Sequence, residues 1–267
     1  MRILIISTVF LMVCFSIPAA SAMSTSSNGN ASRDGYPPPP TMPGDPDLLP
    51  DLRTQSPFHL VLIEIPSADR RLLRFSNAIS NEGFVDLELR GRFDHEEGSY
   101  KVSQKLPVEG GAFEFVELDD GYIHYHPEHY HWHLEGFARY EIWSSTPGGK
   151  LRELLRSNGK VSYCIMDTDR LEGSLSNSQY HSCGPTLQGL STGWADTYER
   201  HLPGQWVDIS GLPDGYYALR SIVDPFNFLH EVDNYNNDVL VTFFLNDGTL
   251  KNVQTVSLDW NLTRPQP

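Results

Sequence analysis

Beyond residue 50 the chain alternates short apolar runs, rich in β-branched and aromatic residues, with clusters of Gly, Pro, Asn and Asp. Such runs bounded by turn residues read as strands. They fall at His59 to Ile65, Arg71 to Phe75, Phe84 to Leu89, Ala112 to Leu118, Phe137 to Trp143, Val161 to Met166, Trp206 to Ile209, Tyr216 to Val223 and Val239 to Leu245. Only Gly149 to Arg156 has a helical look, and no stretch keeps a 3.6-residue period for three turns. The pattern predicts an all-β protein, an antiparallel β-sandwich with long loops, because many short strands bury themselves best as packed sheets. One sandwich or two subdomains sharing an edge would both satisfy it. No repeat at a fixed period is visible.

The first 50 residues follow another logic. Arg2 precedes an almost unbroken apolar run from Ile3 to Ile17, and Ala20-Ser21-Ala22 has the small-x-small form of a processing site. Residues 1–22 therefore read as a signal peptide and the protein as secreted. Residues 23–50 are Ser, Asn, Gly and Pro, with too little apolar surface to offset the entropy of ordering, and read as a flexible arm. The folded domain is expected over 51–267. Nothing else is long and apolar enough to span a membrane.

Charge narrows the partners. Lys and Arg number 20 against 34 Asp and Glu, a net charge of -14, and loss of Arg2 with the leader takes it to -15. A nucleic-acid backbone binder needs the opposite sign; cationic partners are favoured. Asn30-Ala31-Ser32 and Asn261-Leu262-Thr263 are glycosylation sequons. Removal of Cys14 would leave Cys164 and Cys183, which in an oxidising compartment point to one disulfide; a metal or catalytic thiol is the alternative.

The chemistry concentrates in one stretch. Five of the ten histidines, His124, His126, His129, His131 and His133, lie within ten residues. In an extended chain residues i, i+2 and i+4 share a face, so His129, His131 and His133 would present three imidazoles together, with Tyr130 and Trp132 on the opposite side. Three neutral imidazoles with no thiolate among them suit Cu(II) with open positions or a catalytic zinc. Pro127 interrupts the run and assigns His124 and His126 to a preceding segment, in a supporting role. Further on, Glu231, Asp233, Asn236 and Asn237 offer four oxygen side chains within seven residues. That donor set is calcium chemistry, and an Asp/Asn-rich hairpin turn would use the same residues.

These blocks carry a resemblance. His126-Pro-Glu-His129-Tyr-His131-Trp-His133-Leu-Glu-Gly-Phe137 resembles the copper signature of the lysyl oxidases. Arg71-Leu-Leu-Arg74-Phe75-Ser-Asn77, Lys160-Val-Ser-Tyr163-Cys164-Ile-Met-Asp167, Gln188-Gly-Leu-Ser-Thr-Gly193-Trp-Ala-Asp196-Thr-Tyr198, Gln205-Trp206-Val-Asp208, Gly215-Tyr-Tyr217 and Glu231-Val-Asp233-Asn-Tyr-Asn236-Asn237 follow in the family's order, over roughly residues 50 to 246. The resemblance implies copper on His129, His131 and His133, and a lysine tyrosylquinone made from Lys160 and Tyr198. It implies oxidative deamination of primary amines, including lysine side chains of cationic proteins, by dioxygen, with Asp196 as a candidate base. It also implies a calcium site completed by Asp51 and the Leu52 carbonyl, and a Cys164–Cys183 bridge. Animal lysyl oxidases carry many more cysteines, so this chain looks like a minimal relative. A non-catalytic, calcium-stabilised module would keep the histidines without the reaction, and a zinc hydrolase is the weaker rival because no HExxH is present.

Overall fold

The structure, a computed structural model, describes residues 48–108, 110–158 and 162–256. The leader, the arm up to residue 47, Lys160 and both sequons lie outside the described residues. In chain order the strands are β1 Leu52–Thr54, β2 Phe58–Ile65, β3 Arg70–Asn81, β4 Leu87–Asp94, β5 Ser99–Val108, β6 Ala112–His126, β7 His131–Leu134, β8 Ala138–Ser145, β9 Leu151–Ser157, β10 Asp169–Arg170, β11 Gln188–Leu190, β12 Trp194–Tyr198, β13 Trp206–Asp208, β14 Gly215–Val223, β15 Asp238–Asn246 and β16 Thr249–Val256.

The strands form three antiparallel sheets, ordered β11-β4-β5-β6-β7, β16-β15-β14-β8-β9 and β1-β3-β12-β10, with β2 and β13 also pairing β3. One apolar core joins them. Leu73, Phe75 and Ile79 of β3, Leu89 of β4, Ile123 of β6, Leu134 of β7, Tyr140 and Ile142 of β8 and Leu219 of β14 all belong to it. The all-β sandwich expected from the pattern is what the chain adopts. β14 pairs β8 on one side and β15 on the other and is buried from Tyr217 to Val223, and its residues there are apolar except Ser221 and Arg220, which pairs with Asp238.

Several elements depart from the expected runs. Gly149 to Arg156 is not helical: Leu151–Ser157 is strand β9, an edge strand pairing β8. Only Leu151 among its residues is buried, so little apolar pattern was needed, and hairpin pairing overrode local propensity. Of the run Val161 to Met166, Val161 lies outside the described residues, and residues 162–166 are not a regular strand: Tyr163 alone among them forms an isolated bridge, to Leu134. β5 escaped notice because Gln104 occupies a core position between Val102 and Leu106. Its amide donates to the His230 carbonyl at 2.8 Å and accepts from the His230 N–H at 2.9 Å, which makes a polar residue tolerable at full burial.

Two glycines allow close approaches of the chain. Leu49 and Pro50, the last residues of the stretch read as an arm, are buried, and the Phe84 and Val232 N–H groups donate to their carbonyls. Gly83 lets this segment approach: a Cβ there would press on the Asp51 nitrogen and the Leu49 oxygen. Gly136, at φ +73°, turns the chain from β7 into β8, and a Cβ would come within 2.8 Å of the Phe228 ring.

Candidate metal centre

β6 and β7 form a hairpin whose register sets His124 opposite His133 and His126 opposite His131. The intervening Pro127 to Tyr130 is a turn: the N–H groups of His129 and Tyr130 both point to the His126 carbonyl, at 3.2 and 2.9 Å, and Tyr130 takes a positive φ of 60°. His129 is therefore on a turn and not, as the period-two reading had it, on a strand with His131 and His133. The turn still delivers it. Ligand nitrogens of His129, His131 and His133 lie within 4.8 Å of one another, a spread that one metal ion with imidazole ligands can gather.

The hairpin also returns a residue that Pro127 seemed to exclude. The His126 ring lies 4.4 Å from His129 and 4.6 Å from His133, closer than any pair within the trio, whose rings are 4.8 to 5.5 Å apart. His124 stands farther out, 6.4 Å from His133, with its Nδ1 3.2 Å from a Glu135 carboxylate oxygen. Trp132 turns the other way, against Tyr100 and Tyr125, and Tyr130 is exposed.

The segment after Lys160 binds this cluster to a buried tyrosine. Ser162 Oγ is 3.2 Å from His133 Nδ1, the kind of outer partner that fixes an imidazole's orientation. Tyr163 exchanges two backbone hydrogen bonds with Leu134, at 2.7 and 3.0 Å, and its ring meets the Tyr198 ring edge-on at 4.3 Å. Cys164 then receives the phenol: Tyr198 Oη accepts from the Cys164 N–H at 2.9 Å and donates to its carbonyl at 2.8 Å. Asp196 and Tyr198 are both buried on one face of β12. Burial pushes the Tyr198 hydroxyl well above the usual tyrosine range, and the Asp196 charge adds to this. Burial likewise pushes Tyr140 up to about 12. Cys164 and Cys183 are joined by a disulfide, as the resemblance implied.

The oxygen cluster assembles in part. Asn236 Nδ2 donates to Asp51 Oδ1 at 2.9 Å, and Asn237 Nδ2 donates to Glu231 Oε1 at 2.9 Å. The Oδ1 atoms of Asn236 and Asn237 are buried without a hydrogen-bond partner, so two amide oxygens are left over beside two carboxylates. That surplus fits a hard cation. Two expected ligands differ: Leu52 meets the cluster through its N–H, 2.7 Å from Glu231 Oε2, and Asp233 Oδ1 caps an exposed turn by accepting from the Tyr235 N–H. Burial raises the Glu231 carboxyl well above the carboxylate range, with the nearby Asp224 charge adding to it; Asp224 itself is raised to about 7 by burial.

These features define an all-β protein with a histidine cluster tied, through a three-residue segment, to a buried tyrosine. The family model of lysyl oxidase matches residues 111–255, more than half of the chain, and the chain belongs to the lysyl oxidase family. Relatives include the protein-lysine 6-oxidase of Sus scrofa, 26% identical over 219 residues that cover 79% of this chain and 81% of that protein. Lysyl oxidase homolog 1 of Homo sapiens is 33% identical over 116 residues, 43% of this chain and 19% of that protein. Lysyl oxidase homolog 2B of Danio rerio is 30% identical over 174 residues, 65% of this chain. The chain spans only 18% of the length of the Danio rerio relative. Among the described residues no helix is long and apolar enough to cross a membrane.

Proposed function

We propose that the chain is a secreted, copper- and quinone-dependent amine oxidase of lysyl oxidase type. It would convert a primary amine, dioxygen and water into an aldehyde, ammonia and hydrogen peroxide. The observation that carries this reading is the segment Ser162 to Cys164, which touches His133 at one end and the Tyr198 phenol at the other. Lys160 stands two residues before it in the sequence.

His129, His131 and His133 would hold copper, whose redox chemistry toward dioxygen would drive oxidation of the Tyr198 phenol. Lys160 would supply the amine that joins the oxidised ring, giving lysine tyrosylquinone, the electron acceptor for the substrate. The remaining roles belong to the protein. The Cys164 backbone and the Tyr163 ring hold the phenol in one orientation, and burial keeps bulk water from it. Asp196 would take the proton from the carbon beside the substrate amine. The net charge of -14 would draw in cationic amines, lysine side chains among them. Calcium at Asp51, Glu231, Asn236 and Asn237 would neutralise a buried acidic cluster that ties the start of β1 to the loop before β15.

The test is to express the chain, load it with copper in air, and search by peptide mass spectrometry for a crosslink between the Lys160 and Tyr198 peptides, together with amine-dependent peroxide. Both are expected. Stoichiometric copper with unmodified peptides and no peroxide would leave the non-catalytic metal-binding module as the better account.

A further inference from the structure

The disulfide stands against the histidine cluster among soft donors. Sγ of Cys164, Sγ of Cys183 and a ring nitrogen of His131 lie within 4.8 Å of one another. Met166 Sδ is 3.7 Å from Cys183 Sγ. Cys164 is buried, while Cys183 and His131 are half-buried, so the group can be reached from one side. His131 belongs at the same time to the trio with His129 and His133.

We propose that reduction of the Cys164–Cys183 disulfide opens a second metal site, selective for a cuprous ion, made of the two thiolates, the Met166 thioether and the His131 imidazole. The donor chemistry separates it from the first site. Thiolate and thioether sulfur select Cu(I), whereas a purely imidazole set suits Cu(II) or zinc. Sulfurs spaced as Met166 and Cys183 are can share one ion, since metal–sulfur bonds run to about 2.3 Å. His131 stands in both sets, so an ion in the sulfur site and one in the trio would draw on the same side chain.

The chemistry balances with an external reductant. A trialkylphosphine and water convert the disulfide into two thiols and become the phosphine oxide; Cu(I) binding then displaces both thiol protons. Before the chain reaches an oxidising compartment its cysteines are thiols, so the sulfur site is the open one. Disulfide formation removes both thiolates and leaves the trio. The bridge thus selects between a soft and a borderline site at one histidine. This does not rest on the oxidase reading, and its test reads no amine oxidation.

The full chain, reduced with phosphine and desalted without air, is titrated with Cu(I) against bicinchoninate, beside the oxidised chain. The reduced chain is expected to bind one Cu(I) at least roughly 100-fold more tightly than the oxidised chain, as thiolate ligation of a soft ion requires. The reduced Cys164→Ser/Cys183→Ser chain should match the oxidised one. Met166→Leu, which keeps both cysteines, should weaken Cu(I) binding by about tenfold through loss of one soft sulfur ligand. His131→Asn should weaken both Cu(I) binding by the reduced chain and Cu(II) binding by the oxidised chain, and His129→Asn only the latter. Equal Cu(I) affinity of reduced and oxidised chains overturns the proposal. So does an affinity indifferent to Met166 and His131, the behaviour of two thiols on an unfolded segment.

Discussion

Tyr198 Oη is bound to both backbone polar groups of Cys164, accepting from its N–H at 2.9 Å and donating to its carbonyl at 2.8 Å. One phenol thereby completes the hydrogen bonding of a residue that is 1% exposed and locked in the disulfide. Structure and proposed chemistry meet at this atom.

Tyr198→Phe removes that hydroxyl and should abolish quinone formation. It also strands a buried N–H and a buried carbonyl, at a cost of about 1–3 kcal/mol in stability. Urea unfolding followed by tryptophan fluorescence reads the stability, and carbonyl-reagent labelling reads the quinone. A variant as stable as the parent would show that water or a shift of the segment satisfies Cys164.

Ser162→Ala leaves all three candidate ligands in place and takes away the contact at His133 Nδ1. Loss of an outer partner of a ligating imidazole typically weakens metal binding about 10- to 100-fold. Competitive Cu(II) titration should show that loss with an unchanged fold by circular dichroism. An unaltered affinity would mean that the buried position of His133 alone orients the ring.

Calcium should raise the melting temperature and a chelator should reverse the gain. A ligand that binds only the folded state at 100 times its dissociation constant adds about 2.7 kcal/mol. Asn237→Ala removes one of the two leftover amide oxygens and should reduce the response. If calcium leaves the parent's melting curve unmoved, the cluster is an internally bonded hairpin turn.

Glu88 predicts a pH dependence. Burial works to raise its carboxyl, but Arg90, 2.7 Å away, and Lys105, at 3.1 Å, outweigh this and hold it below the usual range. A lowered folded pKa adds stability that is present above the unfolded value, about 4.3 for glutamate, and is lost as pH falls through the folded value. Glu88→Gln should therefore be less stable than the parent at neutral pH, with the gap closing below about pH 4. Melting curves from pH 3 to 7 check it; a constant gap would assign the effect to the hydrogen bond from Tyr180 instead.

What could be read along the chain follows from where the constraint lies. β14, buried between two strands, writes its environment into a mostly apolar run broken only at Arg220 and Ser221, and the density of histidines between 124 and 133 needs no partner to be noticed. Edge strands such as β9 and β16 bury almost nothing, so their sequences carry almost no pattern. Gln104 hid β5 because its satisfaction depends on His230, 126 positions away.

The same division holds at the site. Residue type and spacing alone determined that this is an all-β chain with an excess of acidic residues and a dense run of imidazoles that offers His129, His131 and His133 as candidate ligands, because strand patterning and donor chemistry are local properties. Tertiary structure decided the rest: that His129 arrives by a turn, that His126 folds back beside it, that Cys164 holds Tyr198, and that the disulfide shares His131's neighbourhood. Those are contacts between residues on different strands and loops, set by hairpin register and shared burial, and no local pattern encodes the distance between them.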